Sequence, residues 1–495
     1  MTVPATPIRY GSPAGRWVLL ATVLGSAMAF IDSTVVSIAL PSIGRGLHTD
    51  AAGLQWTING YTLTLASFIL LGGSLADRLG RRRIFVIGTI WFAVASALCG
   101  LAQNVEMLVA ARVLQGVGGA LLTPGSLAII SASFAPDDRS RAIGAWSGLG
   151  GVAGAIGPFL GGWLIEAWSW RLVFLVNLPF ALIVVLVASR HVPESVDPTA
   201  THKLDLPGTF LGALGLAGLT YASIAGGERG VDLLVLGTGA VGVLALVAFV
   251  VVERRSRNPL VPPGLFASRQ FTVTNLVTFL VYGALSAVLF LLVLDLQVVA
   301  GFSPLEAGIS LLPFTLLMLV LSARSGALAA RIGPRLQMTA GPLIAAAGML
   351  LMLRIGPDAS YVADVLPAVL VFGFGMTVLV APLTATVLAA APGEHAGAAS
   401  GVNNAVARSA GLLAVALLPP VAGLTGEVYR NPTAFAAGFR TAALIGAGML
   451  VLGGLLSAVG IRNTEDEPET EHCFSCPFDG PRLETVHPAR TQRTR

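Results

Sequence analysis

About fourteen apolar stretches of roughly twenty residues follow one another along this chain, each long enough to cross the ~30 Å hydrocarbon core of a bilayer as a helix. Such a chain does not fold around a single core in water. In lipid every backbone N–H and C=O must find its partner inside the protein, so the runs are read as helices and the fold as an all-α polytopic membrane protein. Composition agrees, because hydrophobic residues fill 55% of 495 positions and charged residues 11%, with a mean hydropathy of +0.80. Soluble domains carry about 25% charged residues.

The runs place six spans before the first long polar break, at 17–40, 56–76, 84–102, 107–134, 142–165 and 172–188. Eight more follow at 207–226, 233–252, 271–296, 305–329, 336–353, 362–390, 397–424 and 437–461. The chain thus divides into an amino-terminal segment 1–16, a six-helix bundle 17–188, a linker 189–270 with two extra helices, a second six-helix bundle 271–461, and a tail 462–495. Arginine and lysine accumulate on cytoplasmic loops. Arg78, Arg81, Arg82 and Arg83 share one short loop, and keeping it inside puts both termini in the cytoplasm. The run from Trp17 is too long for a cleaved signal peptide, and Asp32 interrupts it.

The formal charge of +4 is accounted for by loop arginines, which leaves no soluble domain to bind nucleic acid. No GxxxxGK[ST] loop is present, which argues against direct drive by ATP. The tail is polar and reads as disordered. Its His472, Cys473 and Cys476 hold one CxxC, a weak zinc signal without a second pair, so no metal site is expected. Cys99 falls inside a span and reads as a packing residue.

An internal repeat is visible. Gly73, Leu75, Arg78 and Gly80 close the second span, and Gly326, Leu328, Arg331 and Gly333 close the tenth with the same spacing. With the seventh and eighth spans set aside, the rest divides into six and six, as in carriers built from parallel repeats around a central cavity.

Two charges lie deep. Asp32 is about fifteen residues into the first span, roughly 22 Å of helix rise, and Arg112 lies about 9 Å inside the outer end of the fourth. A guanidinium in the bilayer interior costs about 2.5–3.5 kcal/mol on the lenient insertion scale and needs a partner. The similar depths predict an Asp32–Arg112 pair, with backbone carbonyls as the alternative partners of Arg112. Three- and four-residue spacing sets Arg112, Gln115, Gly116 and Gly119 on one helical face, and Ser400, Asn404 and Arg408 on another. Glycines of the fifth span, among them Gly150, Gly154, Gly157 and Gly161, permit close helix approach.

The segment GSLADRLGRRRIF at 73–85 resembles the signature loop of the major facilitator superfamily, and GPFLGG at 157–162 resembles the antiporter signature of its drug exporters, with Ala153 standing where that pattern has another glycine. AFIDSTVVSIALP in the first span, WRLVFLVNLP at 170–179, LQVVAGFSPLEAGISLLP at 296–313 and AGAASGVNNAVARSAG at 396–411 resemble the fourteen-helix drug:proton antiporters. The likeness runs from about Arg16 to Arg462.

The resemblance implies a non-enzymatic exporter of amphipathic drugs in the cytoplasmic membrane, driven by the proton gradient without a cofactor. It implies proton coupling at Asp32 and Arg112, and a cytoplasmic latch of Gly73, Asp77, Arg78, Gly80 and Arg82. Ala330 replaces the aspartate in the second copy, so the latch is expected to be asymmetric. Gly154, Gly157, Pro158, Gly161 and Gly162 form the antiporter motif, and Gln115, Asp295, Asn404 and Arg408 are candidates for the substrate cavity. Asp295 is read either as a substrate-facing acid or as a wetted helix end. With Asp32 the one acid near mid-depth, the expected cargo is a monovalent cation or a neutral amphiphile, with protons and membrane lipids as the other partners. An endogenous lipid, siderophore or self-made antibiotic is the alternative cargo, and a transporter-derived receptor the alternative class.

Overall fold

The computed structural model describes residues 8–196, 205–256, 259–390 and 396–463. Residues 1–462 form one compact unit and 463–495 a second. The CxxC of the tail and parts of the linker lie outside the described residues.

Among the described residues, sixteen α-helices carry the fold. The first half holds α1 (Pro13–Leu47), α2 (Ala51–Leu79), α3 (Arg81–Gly100), α4 (Val105–Ser133), α5 (Pro136–Ala167), α6 (Leu172–Leu175) and α7 (Asn177–His191). The inserted pair is α8 (Leu206–Arg229) and α9 (Leu233–Arg255). The second half holds α10 (Arg269–Val298), α11 (Pro304–Ser310), α12 (Leu312–Ile332), α13 (Pro334–Leu351), α14 (Leu366–Ala389), α15 (Ala396–Val421) and α16 (Pro432–Gly460). Two crossings are interrupted, α6 with α7 and α11 with α12, so the helices make fourteen spans. Thirteen of them are long and apolar enough to cross a membrane by length and composition, and the 32-residue α5 is the fourteenth.

Side-chain caps set many of the starts. Ser12, Asp50, Asn104, Asp205, Asp232 and Ser268 each accept a backbone N–H of the first turn, which satisfies donors that a helix start leaves unpaired. Ends are less regular. The first span was expected to stop at Leu40, before Pro41, yet α1 continues through that proline to Leu47. Neighbouring helices in a membrane bundle tolerate the hydrogen bond that proline removes.

The two halves pack alike. In the first, α1 packs on α5 and α7, and α4 on α2 and α3; in the second, α10 packs on α15 and α16, and α14 on α12 and α13. The repeat extends to single contacts, because a Cβ on Gly73 would sit 3.7 Å from Pro124 of α4, and one on Gly326 3.6 Å from Ala381 of α14. Gly80 and Gly333 take φ of +109° and +80° at the equivalent junctions α2–α3 and α12–α13, a region that favours glycine. Between the halves, α5 packs on α11 and α12 while α15 packs on α2, and α8 rests on α2 and α15.

Candidate functional site

Asp32 of α1 and Arg112 of α4 meet inside the first half, with Arg112 Nη1 2.6 Å from Asp32 Oδ2. Their exposures are 0% and 1%, so the pair is removed from water. A buried ion pair is tolerated only when its remaining donors and acceptors are met. Here Gln115 Nε2 donates to Asp32 Oδ1 at 2.7 Å and Asn177 Nδ2 donates to the same oxygen at 3.2 Å. Arg112 Nη1 also donates to Gln115 Oε1, and Arg112 Nε to the carbonyl of Thr57. Ser96 Oγ accepts from Gln115 and Asn177 and donates to the carbonyl of Phe174. The guanidinium lies 4.4 Å from the ring centroid of Tyr61. Every described contact at Asp32 is a donor, which an ionised carboxylate satisfies.

A cavity of about 1580 Å³ runs between the halves. Its wall reaches from Tyr61 and Arg112 to Asp77, Arg78 and Arg81 at the arginine-rich end, where Asp205 and Pro259 also line it. Arg112 is on the wall, whereas Asp32 lies behind it and is not. Gln115, expected to line the cavity, is fully buried and faces Asp32. Asn404 and Arg408 line the cavity with Ser400. Asp295 does not, and it is not a wetted helix end: it is fully buried and neither carboxyl oxygen has a described hydrogen-bond partner. Flanking apolar residues of α10, among them Leu291, Leu294 and Leu296, belong to the surrounding hydrophobic core.

The end opposite the arginines is shut by close packing. Backbone of α11 covers Gly162, where a Cβ would lie 2.6 Å from Leu305 Cα and 2.8 Å from the Pro304 carbonyl. Gly308 of α11 faces the Pro158 carbonyl with the same closeness, and Gly157 and Gly161 face Thr34 and Val35 of α1. Gln297 Nε2 adds a hydrogen bond across the halves to the carbonyl of Ile38 at 3.1 Å. Gly154 lies on the same helix, α5. Small residues alone allow backbones this near.

At the arginine-rich end the expected latch is not closed across the halves in the described contacts. Asp77 pairs with Arg81 at 2.8 Å, one turn along in the first half, and Arg82 pairs with Glu194 at the start of the linker at 3.6 Å. Glu194 also accepts the N–H groups of Arg82 and Arg83, and so caps the start of α3.

Asn177 and Ser96 had no role in the sequence reading. Asn177 sat inside the quoted WRLVFLVNLP stretch, and an amide in the middle of an apolar run is the signal that marks it. Cys99, read as packing, places Sγ 3.6 Å from Gln115 Oε1 at the edge of the same network.

The chain is 37% identical to the puromycin resistance protein of Streptomyces alboniger over 92% of this chain and 94% of that one. It is 36% identical to the multidrug resistance protein Stp of Mycobacterium tuberculosis over 78% and 72%. It is 35% identical to the tetracenomycin C resistance and export protein of Streptomyces glaucescens over 86% and 79%. Among solved structures, a bacterial homologue of the human lysosomal transporter Spinster, inward-facing and unoccupied, superposes with a TM-score of 0.64 at 18% identity, covering 91% of this chain and 97% of that one. An auto-inhibited peptide transporter of the POT family gives 0.67 at 17%, covering 91% and 98%. The sequence model of the Major Facilitator Superfamily matches residues 22–415, and with these relatives it shows that the chain belongs to that superfamily.

Proposed function

We propose that this chain is a proton-driven exporter of amphipathic small molecules, set in the cell membrane with its arginine-rich end and both termini in the cytoplasm. The observation that carries the reading is the buried Asp32–Arg112 pair, with its arginine on the wall of the cavity between the halves. Relatives named for resistance to or export of puromycin and tetracenomycin C support a drug-like cargo.

Proton chemistry enters through hydrogen-bond counting. Ionised Asp32 accepts from Arg112, Gln115 and Asn177. Protonation adds a donor where three donors already converge and removes the charge that holds Arg112. The guanidinium then turns to cargo or water in the cavity, and loss of the proton draws it back. Competition between proton and cargo for one charge state couples their opposite movements. No cofactor is needed, because the proton gradient supplies the free energy. The glycine contacts of α5 with α1 and α11 form the outer seal that opens in the other half of the cycle. The cation preference suggested by the sequence would require Asp32 on the cavity wall, and it lies behind Arg112. A second reading, export of an antibiotic made by the same cell, is favoured by the Streptomyces export relative.

Everted vesicles with an acid interior test the reading through accumulation of a dye panel. Accumulation that collapses with the pH gradient is expected. Equal accumulation without a gradient overturns proton coupling, and no accumulation of any dye overturns export.

A further inference from the structure

Charge on the cavity wall is distributed unevenly. Among the described residues, Asp77 and Asp205 are the acids that line it, and Arg78, Arg81, Arg112 and Arg408 the bases. Both acids are at the cytoplasmic rim: Asp77 bridges Arg81, and Asp205 caps α8 through Oδ1, which accepts the Gly208 N–H, while its Oδ2 has no described hydrogen-bond partner. Deeper in, Arg112 is held by Asp32. Arg408 lies twelve residues into α15 and Asp77 two residues from the end of α2, which puts Arg408 about 15 Å further in by helix rise.

Arg408 is half-buried on the wall and makes no hydrogen bond, ion pair or ring stacking with any described residue. Tyr61 and Tyr282 line the same cavity. An intramembrane arginine without a protein partner is costly and marks a functional site facing water or ligand. Its planar fork of donors matches a carboxylate in two parallel hydrogen bonds, which a lysine does not reproduce. Apolar wall is at hand on α10 and α12, from Leu285, Leu289, Phe290 and Phe314.

We infer that the cavity takes amphipathic anions, with Arg408 binding the acidic group of the cargo and the apolar wall of α10 and α12 its body. The inference rests on the export reading and names its substrate class. A cationic cargo would meet Arg408 at mid-depth with no acid on the wall beside it. An anion has the opposite fit.

The test uses the full-length carrier in lipid nanodiscs and three probes with one skeleton: naphthylbutanoate, its primary amide, and naphthylbutylamine, read by naphthyl fluorescence. The wild type is expected to bind the acid about 10- to 100-fold more tightly than the amide, the span of a charge-assisted hydrogen bond. Arg408→Gln should erase that gap by costing the acid far more affinity than the amide, and Arg408→Lys should restore part of it. Amide binding reports whether each variant is folded, and the acid-to-amide ratio of the wild type tests the inference without any variant. Preference for the amine, a wild-type ratio near one, or an acid preference that survives Arg408→Gln overturns the anion assignment and leaves export standing. Binding of none of the three overturns both.

Discussion

Replacing Asp32 by leucine and Arg112 by methionine, singly and together, separates a coupled pair from two independent polar residues. Either single change leaves one charge at 1% exposure or less with its main partner gone, which costs about 3–5 kcal/mol. The double change removes both charges. Gln115 Nε2 and Asn177 Nδ2 still reach Ser96 Oγ, so they keep one acceptor each, and the main losses are the donors to the Thr57 carbonyl and to Gln115 Oε1. One or two neutral hydrogen bonds at about 1 kcal/mol each put the double variant only about 1–2 kcal/mol below the wild type. Two single losses at the low end sum to about 6 kcal/mol, so the coupling is about 4 kcal/mol or more. Reversible unfolding in mixed micelles, by titration with a denaturing detergent, measures all four corners of the cycle. A double variant whose loss equals the sum of the singles would refute the reasoning, because the two side chains would then be stabilised by other groups.

Asp32→Asn should reach the membrane but lose transport driven by an imposed pH gradient in everted vesicles, since an amide cannot exchange a proton; coupling at the wild-type level sinks the proton assignment. Gly162→Leu forces a side chain into the backbone of Leu305. The seal should fail, and a cysteine placed at Ser37 should then react with a membrane-impermeant thiol reagent from outside; no gain in labelling means that the contact is not the seal. Asp295→Leu removes a buried carboxyl whose oxygens have no described donor, so thermal stability should rise by about 1–3 kcal/mol, and a fall in Tm contradicts that account. Gly80→Ala places a Cβ at φ +109° and 2.8 Å from Glu194, so unfolding should become easier by about 1–3 kcal/mol, and an unchanged Tm refutes the strain argument.

Apolar run length made the crossings legible, and the paired Gly73–Gly80 and Gly326–Gly333 spacings made the two halves legible. Facing was not. A helix that is apolar nearly all round gives no stripe from which to tell cavity from neighbour. Gln115 shares a face with Arg112 and was placed on the cavity wall, yet it turns to Asp32, because the packing of α4 between α2 and α3 decides its direction. Asp295 was set near water from its position close to the end of a run, but it is fully buried on α10, which packs on α14, α15 and α16. Depth alone was enough to pair Asp32 with Arg112, because an isolated charge is so costly there that few partners compete. Asn177 needed a third helix to arrive, and nothing in one segment announces it.

The two ends of the cavity are held by different forces. At the arginine-rich end the described contacts are carboxylate–guanidinium pairs in partly wet surroundings, Asp77 with Arg81 and Arg82 with Glu194. At the opposite end they are glycine against backbone, Gly162 on Leu305 and Gly308 on Pro158. Ionic strength and anionic headgroups act on the first within a Debye length, about 8 Å in physiological salt, and leave the second almost untouched. Lateral pressure and acyl-chain packing do the reverse, because they press on the fit between helices and not on charge. A bilayer of given composition therefore sets the resting balance between inward and outward states through two separate handles, and the same carrier moved between membranes can change its turnover without a change in its site.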